Sequence, residues 1–375
     1  MNAKIEEFLY SVKSEKTKSM YLNYIRYFTK FAKMELHDLL KLPIEKIQKT
    51  IIDYIIHMRT SKLAYSSIRS RISPLYTFLE LNDISVNKRK IERFFGEENK
   101  TVKDEAYTNE DIQKMVSMAS FRVKLMILVF SSTGMRREAF LELKVKHLKK
   151  IDEYGIYRFT VYENAKEEYI TYCTPECASM IDKYLDYRKK SGEVLTPNSY
   201  LFRNNFNPDI PESVKDARHV TGQDLTTILA NLLENTGLRK IRHGSKYERH
   251  SIALFHGFRK YFDTTLANSD VKELIKGLLM GHSIGLDNSY FRPKEKEMLM
   301  EYMKAVDALT IDPSNRLKRE MKVLEARQDE ISLIKLKHEK EMQAMDQKLD
   351  KVISMIQVNP RLAKIKTEVL KKRIS

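Results

Sequence analysis

Apolar residues recur every three or four positions through the first hundred residues, the period of an amphipathic helix. In MYLNYIRYFTKFAKM, Tyr21, Ile25, Phe28 and Phe31 fall on one side, and IEKIQKTIIDYIIHM and YSSIRSRISPLYTFLEL repeat the pattern. The serines opening the third segment are expected to cap it, and Pro74 inside it predicts a kink or a break. The period is lost over 96–108, GEENKTVKDEAYT, which is polar and reads as a linker. Beyond it, YGIYRFTVYE and EYITYCT are strand-like and predict a hairpin around NAKE, with helical patterns on both sides. From DPSN at 312–315 a helix is expected, with Ser314 or Asn315 as its cap. Spacings of four and three then alternate through Leu317, Met321, Leu324, Gln328, Ile331, Lys335, His338, Met342, Met345, Leu349, Val352 and Ile356. That is a heptad seam with a polar interruption at Gln328, Lys335 and His338. The pattern therefore predicts a mainly α fold with a small antiparallel β-sheet. Its expected divisions are a helical domain over 1–95, the linker 96–108, a second domain over 109–311, a coiled-coil helix over 312–358 and a basic tail over 359–375.

Composition narrows the class. At 375 residues the chain is long enough for two cores, and 42% hydrophobic residues is ordinary for a soluble globular protein. Charge is the unusual quantity: 67 Lys+Arg against 51 Asp+Glu gives +16, which suggests a polyanionic partner, either nucleic acid or an anionic membrane surface. No stretch approaches the roughly 18 uncharged apolar residues of a membrane-spanning helix, and no basic amphipathic helix of the membrane-surface kind stands out. The N-terminus lacks a signal-peptide core. The two cysteines, Cys173 and Cys177 in CTPEC, make neither a zinc spacing nor a disulfide framework. These readings point to an intracellular, cytoplasmic protein with no membrane partner and no metal.

Four segments of the second domain carry candidate chemistry. SSTGMRREAFLELKVKHL has a tight turn at Gly134 and then Arg136 at the start of a helix, where amide groups and a guanidinium both suit a phosphate. NAKE places Lys166 on an exposed loop. In HGFRKYFDTTLAN, His256 and Arg259 stand three apart and share a helix face, able to converge on one anion. In LLMGHSIGLDNSYFRPKEKEML, His282 follows Gly281, and Tyr290 follows a short polar stretch. In the helical domain, Lys62, Arg69, Arg71, Lys88, Arg89 and Lys90 form a basic set suited to a phosphate backbone.

Taken together and in this order, the segments resemble the tyrosine recombinase, or phage-type integrase, family. Its pattern is an arginine after Thr–Gly, a β-hairpin lysine, a His–x–x–Arg, a Gly–His and a later tyrosine. GHSIGLDNSYFRP is further similar to the subgroup found in archaea and their mobile elements. The resemblance implies a core-binding domain that clamps duplex DNA and a catalytic domain in which Tyr290 attacks a DNA phosphate, leaving a 3′-phosphotyrosyl link. It implies that Arg136 and Arg259 hold the non-bridging oxygens, Lys166 is the general acid, His256 accepts the tyrosine proton and His282 bonds the phosphate. No cofactor, metal or ATP is implied; self-association on DNA, as a synaptic tetramer, is. Two departures from the family pattern stand out. Ala139 occupies a position where an acidic residue often supports the arginine, and the His282–Tyr290 interval is eight residues rather than nine. Tyr302 is the fallback nucleophile, and its segment, KEKEMLMEYMKAVDALTI, is expected to dock on a neighbour. The alternatives are a type IB topoisomerase, which shares this chemistry, and a non-enzymatic coiled-coil DNA-binding protein.

Overall fold

Ser14 stands at the start of the first long amphipathic stretch, and its hydroxyl accepts the Thr17 amide as an N-cap should. The structure, a computed structural model, describes residues 3–97, 105–239, 252–283 and 292–358. The chain divides into two units, Met1–Lys103 and Asp104–Ser375.

The first unit is helical: α1 (Ala3–Ser11), α2 (Glu15–Ala32), a 3-10 turn (Leu36–Lys41), α3 (Ile44–Thr60), α4 (Tyr65–Leu81) and α5 (Lys88–Glu92). The predicted stripe packs inward, with Ile25 and Phe28 buried and Tyr21 and Phe31 against the core. Phe8 from α1 wedges between Tyr21 and Phe78, at ring separations of 5.9 and 5.7 Å. Two expectations are corrected. α4 is capped by Ala64 with no side-chain bond, so its serines lie inside the first turn. Nor does Pro74 break α4, which runs unbroken from Tyr65 to Leu81 with Pro74 buried inside it.

The second unit is built around α7 (Phe121–Thr133), apolar on every side and buried from Leu125 to Thr133. Its last residues are Ser131, Ser132 and Thr133, whose hydroxyls are satisfied within the helix by the carbonyls of Leu128 and Val129. α6 (Asn109–Met118) opens on a Thr108–Asp111 capping box. Tyr107, within the stretch read as linker, is buried against Phe258, and its hydroxyl donates to the Leu254 carbonyl. α8 (Arg137–Leu141) leads to a three-stranded antiparallel sheet: β1 (Leu148–Ile151), β2 (Ile156–Val161) and β3 (Tyr169–Tyr172), in the order β1-β2-β3. The register pairs Leu148 with Phe159 and Phe159 with Thr171. The hairpin was legible; β1, four residues with two exposed lysines, was not.

α9 (Pro175–Lys190), α10 (Pro211–Asp216), α11 (Gly222–Asn235), α12 (Leu254–Asn268) and α13 (Glu273–Leu279) complete the core. Arg188 on α9 is fully buried and donates to both Glu193 oxygens and to the carbonyls of Tyr200 and Leu201. The cysteines are buried free thiols. α14 (Glu295–Leu309) carries the stripe expected to dock on a neighbour, and the structure corrects this. Met298, Tyr302, Val306 and Leu309 are buried in the core of their own unit, and the Tyr302 hydroxyl donates to the Ser132 carbonyl at 2.8 Å. α15 (Pro313–Val358) follows, capped by Asp312 with Pro313 at the first helical position rather than by Ser314 or Asn315. Among the described residues, no helix is long and apolar enough to cross a membrane.

Candidate functional site

α7 ends at Gly134, which sits at φ +58° with the Phe262 side chain so close that a Cβ would fall 2.3 Å from its ring. The left-handed turn this allows throws the chain outward, and Arg136 caps α8 in an extended conformation. A second left-handed turn, at Gly281 (φ +63°), ends the α13 segment, and a Cβ there would fall 2.5 Å from the Tyr169 ring. These two turns present their carbonyls to two arginines. Arg136 Nη1 donates to Gly281 O at 3.2 Å. Arg259, buried on α12, donates from Nη1 to Gly134 O and from Nη2 to Met280 O, each at 2.7 Å.

The same Nη2 lies 2.7 Å from His282 Nε2. A guanidinium has only donors, so Nε2 is the acceptor and the imidazole carries its proton on Nδ1. Electrostatics agree: partial desolvation, then the charges of Arg259 and Arg136, hold the His282 pKa below its usual 6.5. Burial and Arg136 likewise pull down the pKa of Arg259, though a guanidinium stays protonated at any physiological pH. Among the described residues neither arginine pairs with a carboxylate. Asp263, one turn beyond Arg259, instead binds Lys276 at 3.0 Å and so ties α12 to α13. Two cations are thus held side by side by neutral carbonyls, and among the described residues neither is ion-paired with an acid, although Asp263 still acts on Arg259 through its charge.

His256 stands one turn before Arg259, exposed, on an open cleft of ≈ 460 Å³ that Arg136 and Arg259 also line. The structure therefore brings Arg136, His256, Arg259 and His282 together from three separate stretches of chain. Lys166 is not brought into contact with them. It lies on the turn between β2 and β3, which is shaped by Tyr162 (φ +56°) and Asn164 (φ +64°), and its side chain is exposed. The base of that hairpin does reach the cluster, since Thr171 donates to the Thr133 carbonyl at 3.4 Å and Tyr169 packs on Gly281. Tyr290 lies outside the described residues. A larger cavity, ≈ 1230 Å³, opens near the start of α15 and contains none of these side chains.

Sequence reasoning missed Tyr169. Its hydroxyl is buried without a well-formed hydrogen bond, close to Arg259, and desolvation pushes its pKa up to about 12. Its only sequence signal is its position three residues past Lys166 in an alternating strand. Of the basic set in the first unit, Lys62, Arg69, Lys88, Arg89 and Lys90 are exposed. Arg71 instead stacks 4.7 Å over the Tyr27 ring, and Lys88 pairs with Glu80. Among the described residues no group of three His, Cys, Asp or Glu side chains is placed to hold a metal ion.

Known proteins can now be set beside this arrangement. The structure of XerH site-specific recombinase bound to palindromic difH substrate, a post-cleavage complex, is 16% identical and aligns 76% of this chain with 90% of its own at a TM-score of 0.50. The Tn1549 transposon integrase in complex with transposon right end DNA is 15% identical, covering 76% and 98% at a TM-score of 0.47. The integrase from mycobacterium phage Brujita is 16% identical, covering 80% and 90% at 0.39. No curated protein sequence matches the chain. At the level of sequence, the phage integrase family matches residues 79–296. That span is more than half of the chain and takes in both glycine turns, both arginines and both histidines, and on it the chain belongs to the phage integrase family.

Proposed function

We propose that this protein is a site-specific DNA recombinase that cuts and rejoins strands through a 3′-phosphotyrosyl intermediate. The observation that carries the reading is the pair of guanidiniums, Arg136 and Arg259, held by neutral carbonyls and lacking an acidic partner among the described residues. Such a pair is costly unless an anion sits between or above it, and the fork geometry suits two phosphate oxygens. Charge that grows on those oxygens in a pentacoordinate transition state is stabilised there.

Tyr290 is the nucleophile. Its oxygen forms a bond to phosphorus while the bond to the 5′-oxygen breaks. An unperturbed tyrosine has a pKa near 10, so about one in a thousand is ionised at neutral pH. His256 takes the phenolic proton, and Lys166 protonates the departing 5′-oxygen, a role worth roughly a hundred- to ten-thousandfold. Lys166 sits on a hairpin tip whose base already touches the arginine cluster, so a small closure of that loop completes the site. His282, neutral and protonated on Nδ1, turns that N–H to the phosphate. A 5′-hydroxyl from a second strand then reverses the attack. The energy of the broken phosphodiester is kept in the phosphotyrosyl ester, so no ATP is consumed, and the two guanidiniums do the work a metal would do. The partner is duplex DNA. Lys62, Arg69, Arg71, Lys88, Arg89 and Lys90 contact its phosphates. Strand exchange joins protomers on paired sites, as a tetramer, inside the cytoplasm. GHSIGLDNSYFRP supports a place in the subgroup of archaea and their mobile elements.

The test is a covalent trap with DNA of the replicon that encodes the protein. The unmodified chain should leave protein on 3′ ends after a detergent quench. Tyr290→Phe should leave none while binding DNA with unchanged affinity. An adduct that persists in Tyr290→Phe would overturn the assignment of the nucleophile. Products joining two different duplexes separate a recombinase from a type IB topoisomerase, which rejoins only its own ends.

A further inference from the structure

α15 is 46 residues long, about 70 Å at 1.5 Å per residue. Its root is anchored. Glu176 accepts the amides of Ile311 and Asp312 at 3.0 and 3.4 Å, and Gln113 donates to the Ile311 carbonyl. Beyond that root the heptad seam is bare: Leu317, Leu324, Ile331, Met345 and Leu349 are between 53% and 63% exposed. An apolar stripe sustained over this length is covered by another helix.

The polar residues within the seam select the partner and its direction. In a parallel pair of identical helices in register, Lys335 would meet Lys335 of the second copy inside the seam. Glu341 would also face Asp346 across its edge. Both oppose like charges, and no seam-edge pair among the described side chains offsets them. Reversing one helix, with Ile334 beside its own symmetry mate, removes both conflicts. Leu317 then packs on Leu349 of the second copy, Met321 on Met345 and Leu324 on Met342. Gln328 meets His338, with which it can share a hydrogen bond. Lys335 crosses Ile331 with its ammonium free to reach water. At the edge Arg327 faces Glu341, twice by symmetry, against a single unfavourable type of pair, Glu325 with Glu339.

We infer that α15 pairs with α15 of a second copy of this chain as an antiparallel two-stranded coiled coil in this register. The contact is isologous and closes at two chains. It places the two helix roots about 60 Å apart along the shared axis, since 40 residues separate levels 313 and 353. Two catalytic units are thereby tethered at opposite ends of one rod before any DNA is bound. The pairing rests on α15 alone and does not depend on the recombinase reading.

Disulfide trapping in the full chain tests it without DNA. Cys173 and Cys177 are buried, so only introduced thiols report. Leu317 and Leu349 are exposed in the single chain, so neither substitution reaches a core. A mixture of Leu317→Cys and Leu349→Cys chains should oxidise to a covalent dimer, neither variant alone should, and the unmodified chain should sediment as a dimer at micromolar concentration. A Leu317→Cys chain that links to itself would mean a parallel pair, and a monomer in sedimentation would mean no pair; either overturns the inference. Neither outcome touches covalent trapping by Tyr290, so failure here and failure of the proposed function are separable.

Discussion

Adding a Cβ at position 281 would place it 2.5 Å from the Tyr169 ring, on a backbone at φ +63° that side chains rarely adopt. The same residue supplies the carbonyl that holds Arg136, and its neighbours on either side hold Arg259. Gly281→Ala should therefore cost about 1–3 kcal/mol in local strain. Because the guanidiniums depend on that turn, cleavage should fall by roughly a hundredfold, the scale of a 1 Å misplacement. Urea unfolding and single-turnover cleavage measure the two effects, and wild-type cleavage in this variant would show that the turn does not set the arginine geometry. At this scale much was legible. The family resemblance of the ordered motifs named Arg136, His256, Arg259 and His282, and the structure gathers those four. What spacing could not say is what holds them. Ala139 left the supporting contact of Arg136 open, and the answer, a backbone carbonyl 145 residues away, has no residue type to read. Tyr169 was hidden for a related reason: a strand tyrosine reads as packing until the opposite turn is in view.

Among the elements, α14 shows how far periodicity reaches. Its stripe was expected to dock on a neighbouring protomer, and that was wrong, because period shows an apolar face but does not name what covers it. The stripe lies against α7, α12 and α13 of the same unit, where Tyr302 is completely buried. Tyr302 is also the fallback nucleophile, and its position argues against that role, because the hydroxyl is committed to the Ser132 carbonyl. Tyr302→Phe leaves that buried carbonyl without this donor, at a cost of about 1–3 kcal/mol. The variant should unfold at lower urea yet still form the covalent adduct with DNA. Loss of the adduct in a folded Tyr302→Phe protein would reopen the choice between Tyr290 and Tyr302. Pro74 makes the complementary point: a residue that breaks helices in isolation is held inside α4, where its ring is buried.

For the whole molecule, net charge is the quantity that matters. A surplus of +16 spread over two units should make DNA affinity fall steeply with salt, with a log–log slope of about −0.9 for each phosphate neutralised. Fluorescence anisotropy across a salt series reads that slope, and a flat response would remove the electrostatic basis of the proposed clamp. By itself the sequence determined the mainly helical class with a small sheet, the long terminal helix, the basic character and the chemical types at the site. Each of these follows from local period, composition or motif order, which a chain carries without being folded. Only the tertiary structure decided which helix face is covered by which partner. It alone brought Gly134, Gly281 and Tyr169 to the same two arginines, and left those arginines without a carboxylate among the described residues. Such contacts join residues more than a hundred positions apart, and the carbonyls that make them are common to every amino acid, so no one-dimensional pattern records them.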